Sequence, residues 1–423
     1  MKSFYKKGFG DVELNLLEVM DNMEIIDGHE HTHPEEARLE KNVDVFTLFS
    51  HYTHRDLSRA GMSETTYKSL FDTNLPIEKR WKEFMPYWEN IRHTSYSRAA
   101  LLAAKKFYGA EDINQDTYRS ISENMKKNNK PGIYKKVFKD ACKIKTCLCQ
   151  CGRTDVDPDF FTPVMPLRGG FGEAVIDKMT GKTIFLAPTT LRLKENNKIK
   201  TLDDYLAHIQ NYIDIVKKDG AVGLKMISFP YVETIKEDAR KEFVMLKEGT
   251  HIEGKLFDSY TIDKALKYAS KKGLTIAVHT GYWGDFRYRH PLHIIPLLIK
   301  YPDVKFDIYH LGYPWVRETI MLAKGFSNVW LNLCWTYAIS QKCTTDAIDE
   351  IIDAVPINKI VGFGADYNIP VEKVFGHLVM AKESLASVLG KRIREGTMTE
   401  KQAHTIIEKW FWENPKELYN LQF

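Results

Sequence analysis

The sequence has no surplus of one charge. It carries 60 Lys+Arg against 56 Asp+Glu in 423 residues, a formal net charge of +4. A dedicated nucleic-acid binder concentrates a basic excess on one face, so no nucleic-acid partner is expected. Basic pairs such as Lys126-Lys127, Lys135-Lys136, Lys217-Lys218 and Lys271-Lys272 read as solvated surface. No stretch approaches the ~18 apolar residues of a membrane span. No apolar run follows the lysines of segment 1–10, so no signal peptide is read. A cytoplasmic protein without membrane partners is the expectation. Cysteine is scarce, with 6 in the chain, too few for a disulfide scaffold. Cys142, Cys147, Cys149 and Cys151 cluster, but without the paired Cys-x-x-Cys knuckles of a structural zinc site. They read as reduced thiols in or beside a core strand. No glycine-rich phosphate loop follows an early strand, which counts against a doubly wound dinucleotide-binding sheet.

What is present centres on Ile25-Ile26-Asp27-Gly28-His29-Glu30-His31-Thr32-His33. Two β-branched residues lead into histidines at alternate positions. Side chains two apart on a strand share a face, so His29 and His31 project together. His33 would join them if the strand continued; it is a candidate substrate contact. Two imidazoles on one rigid face make half of a divalent-metal site.

Beyond Pro34 the pattern changes. Residues 35–142 are rich in good helix formers and aromatics, as in Arg80 to Trp88, with little β-branched alternation. They read as a helical insertion. Short apolar strands and helices then alternate at roughly 30-residue spacing, the rhythm of βαβ units around a parallel sheet. About eight strands can be counted. The expectation is an α/β protein, a (β/α)8 TIM barrel formed by 1–34 and 143–423, interrupted after its first strand by the insertion. Between the strands, 168–200 and 230–257 read as polar excursions.

In such a barrel, functional residues lie at the carboxyl ends of strands. Here the strand ends carry His29 and His31, Lys225, His279, His310 and Asp366. Each has a plain reading on its own: a core histidine, a turn-capping aspartate, a lysine paired with an acid. Together, at five strand ends, they point to a metal site.

These residues resemble a family. Ile26-Asp27-Gly28-His29-Glu30-His31 is similar to the opening strand of the amidohydrolase superfamily. His279, His310 and Phe363-Gly364-Ala365-Asp366-Tyr367 resemble the ends of its fifth, sixth and eighth strands. The branch it resembles is the amidohydrolase-2 group, which includes aminocarboxymuconate-semialdehyde decarboxylases; Ala365 and Asn368 depart from its last motif. The position of the insertion is similar to that in uronate isomerases. The resemblance implies His29, His31, His279 and Asp366 as ligands of a divalent metal, zinc first and manganese second. It implies His310 as a second-metal ligand or a polarising imidazole, and Lys225 as a bridging lysine only if two metals bind.

The expected chemistry is hydrolysis through a metal-activated water, with Asp366 as general base and His310 polarising the group under attack. Decarboxylation, isomerisation and a non-catalytic metal-binding scaffold are the alternatives. Trp283, Arg287 and Arg289 after the fifth strand, Trp315 after the sixth and Asn368 after the eighth are candidate substrate contacts. Arginine forks suit a small, carboxylate-bearing molecule. The aromatics of the insertion suit a homo-oligomer interface or a lid equally.

Overall fold

Ile25 and Ile26 open strand β1 (Ile25–Glu30), in which every residue is buried. The computed structural model describes residues 2–167, 174–176, 183–185, 199–250 and 254–423. Among the described residues, seven further strands of the same sheet follow: β2 (Ile144–Cys149), β3 (Phe161–Pro166), β4 (Gly223–Ile227), β5 (Thr275–His279), β6 (Phe306–Tyr309), β7 (Val329–Asn332) and β8 (Ile360–Val361). They lie side by side in sequence order in one eight-stranded sheet. The pairing is parallel, with Lys225 opposite Ala277, His279 opposite Tyr309, and Tyr309 opposite Asn332. Past β8, the Phe363 carbonyl accepts from Gly28 N–H at 2.8 Å, which brings the chain back to β1. This is the (β/α)8 barrel that the alternation indicated. A short antiparallel ribbon, Ala174–Ile176 with Thr183–Phe185, stands apart from the sheet. Apart from that ribbon and residues 199–200, the polar excursion expected at 168–200 lies outside the described residues.

The chain packs as two compact units. The first comprises Met1–Cys147, Cys334–Glu350 and Phe363–Glu408; the second comprises Leu148–Leu333, Ile351–Gly362 and Lys409–Phe423.

In the first unit, residues 35–142 form short helices, among them Thr53–Arg59, Ile77–Ile91, Ser95–Tyr108 and Tyr118–Asn128. Ile77–Ile91 buries Trp81, Phe84, Trp88 and Ile91, the three- and four-residue spacing of one helical face. Trp81 stacks on Tyr118 at 4.7 Å, and Trp88 donates its Nε1–H to the Ile113 carbonyl at 2.8 Å. Thr94 caps Ser95–Tyr108 by accepting from Ser97 N–H, and Gly109, at φ 70, ends it. The long helix Lys373–Arg394 runs against Ser95–Tyr108; at their contact Gly376 meets the Ala99 carbonyl with no room for a Cβ. Buried Glu372 accepts from Arg38 at 2.7 Å and from the Tyr108 hydroxyl at 2.5 Å.

In the second unit, Thr201 accepts from Asp204 N–H to start Leu202–Lys218. The stretch 230–257 is not merely a polar excursion. It contains the helix Lys236–Glu248, which buries Ala239 and Phe243 four residues apart and stops at Gly249. Two apolar positions were too few to outweigh the charge of that segment on reading. The strand expected to run into His310 ends at Tyr309, because His310, Leu311 and Gly312 all turn left-handed. Inside the unit, buried Asp307 accepts from the Tyr419 hydroxyl at 2.7 Å and from Asn332 Nδ2 at 2.9 Å. None of the six cysteines forms a disulfide. Among the described residues no helix is long and apolar enough to cross a membrane.

Candidate metal centre

His29 lies in β1 and its side chain is almost wholly buried; His31 follows just beyond the strand and is 40% exposed. Asp366 comes from the segment after β8. Its backbone is left-handed, φ 64, a conformation rare for a non-glycine residue and common where function holds it. Its N–H donates to the His29 carbonyl at 2.9 Å. That bond turns the carboxylate toward the imidazoles. Oδ1 of Asp366 stands 3.3 Å from His29 Nε2 and 3.4 Å from His31 Nε2. The ligand atoms of these three residues all lie within 4.8 Å of one another. Two imidazole nitrogens and one carboxylate oxygen, preset at this spacing, fit a small divalent cation such as zinc or manganese.

Gly364 makes the approach of the two chain segments feasible. A Cβ there would sit 2.5 Å from Cys334 Cβ and 2.9 Å from the His29 backbone nitrogen. The Asp27 carboxylate accepts from His29 N–H at 3.0 Å and from Ala365 N–H at 3.3 Å. The Glu30 carboxylate accepts from Tyr367 N–H at 2.7 Å and from the Thr32 hydroxyl at 3.2 Å. Burial pushes both carboxyls well above their usual range, and nearby Asp366 adds to the effect. His377 donates to the Ala365 carbonyl at 3.1 Å; burial lowers its imidazole to about 3, so it is neutral.

Two residues of the helical segment enter this site. The Tyr52 hydroxyl is hydrogen-bonded to Asp366, and burial, then the Asp366 charge, raises the phenol well above its usual value. The Tyr52 ring stacks on Trp335 at 4.4 Å. The His51 ring packs at a tilt against Tyr52, centroids 3.8 Å apart, on a left-handed backbone, φ 61. Its Nδ1 is buried without a partner among the described residues. Burial lowers the His51 imidazole to about 3, against the pull of the Asp366 charge. Neither residue was read from the sequence, where His-Tyr sits among helical residues with no strand end to mark it. Asp27 and Glu30 were also passed over; charged residues inside an apolar strand were the available signal.

In the second unit, His279 ends β5 and His310 follows β6. His310 Nε2 and His279 Nδ1 share a hydrogen bond of 3.0 Å. One ring donates and the other accepts, which ties the tautomer of each to its neighbour. The three-residue metal group does not include His279. Lys225 holds its Nζ 3.6 Å over the Tyr309 ring. Arg287 forms a two-pronged pair with Asp285 at 2.7 and 2.9 Å and is 81% exposed. Arg289 donates from Nε to the Trp283 carbonyl at 2.9 Å, and Trp283 is exposed. Trp315 packs on His290 at 4.4 Å.

In the first unit, Asn368 accepts from Ile369 N–H at 2.6 Å. His33 is exposed; its carbonyl accepts from the Tyr134 hydroxyl at 2.8 Å.

Comparison with known proteins bears on this geometry. Residues 216–421 match the amidohydrolase family. The protein fluG of Emericella nidulans is 26% identical over 133 residues, which is 31% of this chain and 15% of that protein. The chain therefore spans only a small part of the length of this curated relative. Among solved structures, glucuronate isomerase from Caulobacter crescentus aligns with a TM-score of 0.78 at 16% identity, covering 99% of this chain and 96% of that one. Uronate isomerase from Thermotoga maritima aligns with a TM-score of 0.76 at 16% identity, covering 97% and 98%. A Lactobacillus casei protein assigned as a metal-dependent hydrolase aligns with a TM-score of 0.66 at 16% identity, covering 96% and 97%. At these identities the structural likenesses establish the fold.

Proposed function

We propose that this chain, of which residues 216–421 match the amidohydrolase family, is a metal-dependent enzyme of that superfamily and hydrolyses a C–O or C–N bond in a small, carboxylate-bearing substrate. The observation that carries the reading is the preset cluster of His29, His31 and Asp366, with their ligand atoms within 4.8 Å. These three residues would hold the divalent ion. Bound there, such an ion supplies Lewis-acid polarisation and lowers the pKa of a water toward ~7.

The protein's own groups do the rest. Asp366 would take the proton of the attacking water, as a general base. Tyr52 donates to that carboxylate and fixes its orientation. Asp27 ties the backbone of His29 to that of Ala365, so ligands from distant parts of the sequence keep one geometry. The burial of His29 and Asp366 keeps bulk water from screening the charges involved. The carboxylate preference rests on the sequence expectation for Arg287 and Arg289 alone, since Arg287 is paired with Asp285 in the fold.

A second reading, aldose–ketose isomerisation of a sugar acid, draws support from the Tyr52–His51 pair beside Asp366. Moving a proton between adjacent carbons calls for a second proton carrier, and a phenol at the aspartate supplies one. The fold is shared with proteins named as uronate isomerases, which makes uronates the sugars to try.

The test is product mass. Zinc- or manganese-loaded protein is incubated with uronates and with a panel of carboxylate-bearing esters, lactones and amides. Hydrolysis adds the mass of one water, isomerisation leaves the mass unchanged, and decarboxylation removes carbon dioxide. Turnover with added water, abolished in Asp366→Asn, supports the proposal. Turnover at unchanged mass replaces it with the second reading.

A further inference from the structure

Thr53 follows Tyr52 directly and opens the helix Thr53–Arg59. Its Oγ1 accepts from Lys373 Nζ at 2.8 Å. Lys373 is fully buried and begins the helix that follows the Asp366 segment. Its Nζ lies 5.2 Å from the centre of the Tyr367 ring and 6.0 Å from that of Tyr96. The Tyr96 ring stacks in turn on Tyr52 at 5.9 Å. The acid facing the ammonium is Asp56, which accepts from the Thr94 hydroxyl at 2.7 Å. Thus one buried side chain touches both the segment that carries Asp366 and the turn that carries Tyr52.

An ammonium out of water is costly unless something compensates. Burial lowers the Lys373 ammonium to about 7. An apolar side chain of the same length would fill the space without that penalty. The turn it grips also needs holding, since His51 sits left-handed at φ 61.

We infer that Lys373 is a positioning residue: through Thr53 it clamps the turn that keeps the Tyr52 hydroxyl on Asp366, and so it orients a metal-ligating carboxylate without touching the metal. The inference rests on the metal-site reading above. Partners that orient a ligating group tune metal affinity, and their removal typically weakens it by about 10- to 100-fold.

The experiment uses Zn²⁺ itself as the probe, in competition with a chromophoric chelator. The wild type is compared with Tyr52→Phe, Lys373→Met, Thr53→Val and the double variant Tyr52→Phe/Lys373→Met, with circular dichroism and melting temperature recorded for each. Each single variant is expected to weaken Zn²⁺ binding by about tenfold, and the double variant by no more than Tyr52→Phe alone. Should Lys373→Met fail to fold, Thr53→Val removes the same bond at nearly constant shape and decides the question. Wild-type affinity in Lys373→Met or Thr53→Val overturns the inference. So does a loss from Lys373→Met that is as large in the Tyr52→Phe background as in the wild type. A wild type that binds no Zn²⁺ is a different failure; it removes the metal-site reading and this inference with it.

Discussion

His29 sets its Nε2 3.3 Å from Oδ1 of Asp366, although the two residues come from the first and last strand ends of the barrel. The same oxygen lies 3.4 Å from His31 Nε2. The two histidines differ in surroundings. The His29 side chain is 1% exposed and that of His31 is 40% exposed. Both Ala variants should therefore lose metal affinity, but only His29→Ala should also destabilise the metal-free protein, by on the order of 1–3 kcal/mol, through a void and unpaired groups in a packed site. Urea unfolding in the presence of a chelator checks this. Equal stability of the two metal-free variants would count against the buried placement of His29.

Gly364 gives a second test. No Cβ fits between Cys334 and the His29 backbone. Gly364→Ala should push β1 away from the Asp366 segment, lowering stability by about 1–3 kcal/mol and weakening metal binding with it. A Gly364→Ala protein with wild-type affinity and stability would show that the close approach is not required.

Asp307 makes stability depend on pH. Burial pushes its carboxyl up to about 7, from 3.8 in an unperturbed aspartate, with the bonds from Asn332 and Tyr419 opposing. Between these values the folded protein holds a proton that the unfolded chain has released. The resulting stabilisation is complete below the unfolded value and is lost as pH rises through about 7. Asp307→Asn cannot ionise. Measured by urea unfolding, its stability relative to the wild type should rise by about 2 kcal/mol from pH 5 to pH 8. An unchanged difference would contradict the raised value.

The barrel and its histidine strand end were legible because both follow local rules. β1 shows β-branched residues running into alternating histidines, and the βαβ rhythm repeats in short range. What was not legible depends on contacts between distant segments. Tyr52 reaches Asp366 through a left-handed turn at His51 and a stack on Trp335, neither of which leaves a periodic trace. His279 read as a metal ligand and His310 as a second-metal ligand or polarising imidazole; that their rings share a hydrogen bond of 3.0 Å, past a left-handed turn at His310, leaves no trace in the sequence. Arg287 and Arg289 looked alike in the sequence; in the folded protein Arg287 pairs with the Asp285 carboxylate and Arg289 with the Trp283 carbonyl.

The central claim is that His29, His31 and Asp366 hold a divalent metal. The most direct measurement is metal content per chain, by elemental analysis of gently purified protein beside Asp366→Asn and His29→Ala. The account predicts about one ion per wild-type chain, removable by chelator and restored by zinc or manganese, with little retained by either variant. A wild type that neither carries an ion nor takes one up, or an Asp366→Asn protein with full occupancy, would contradict it.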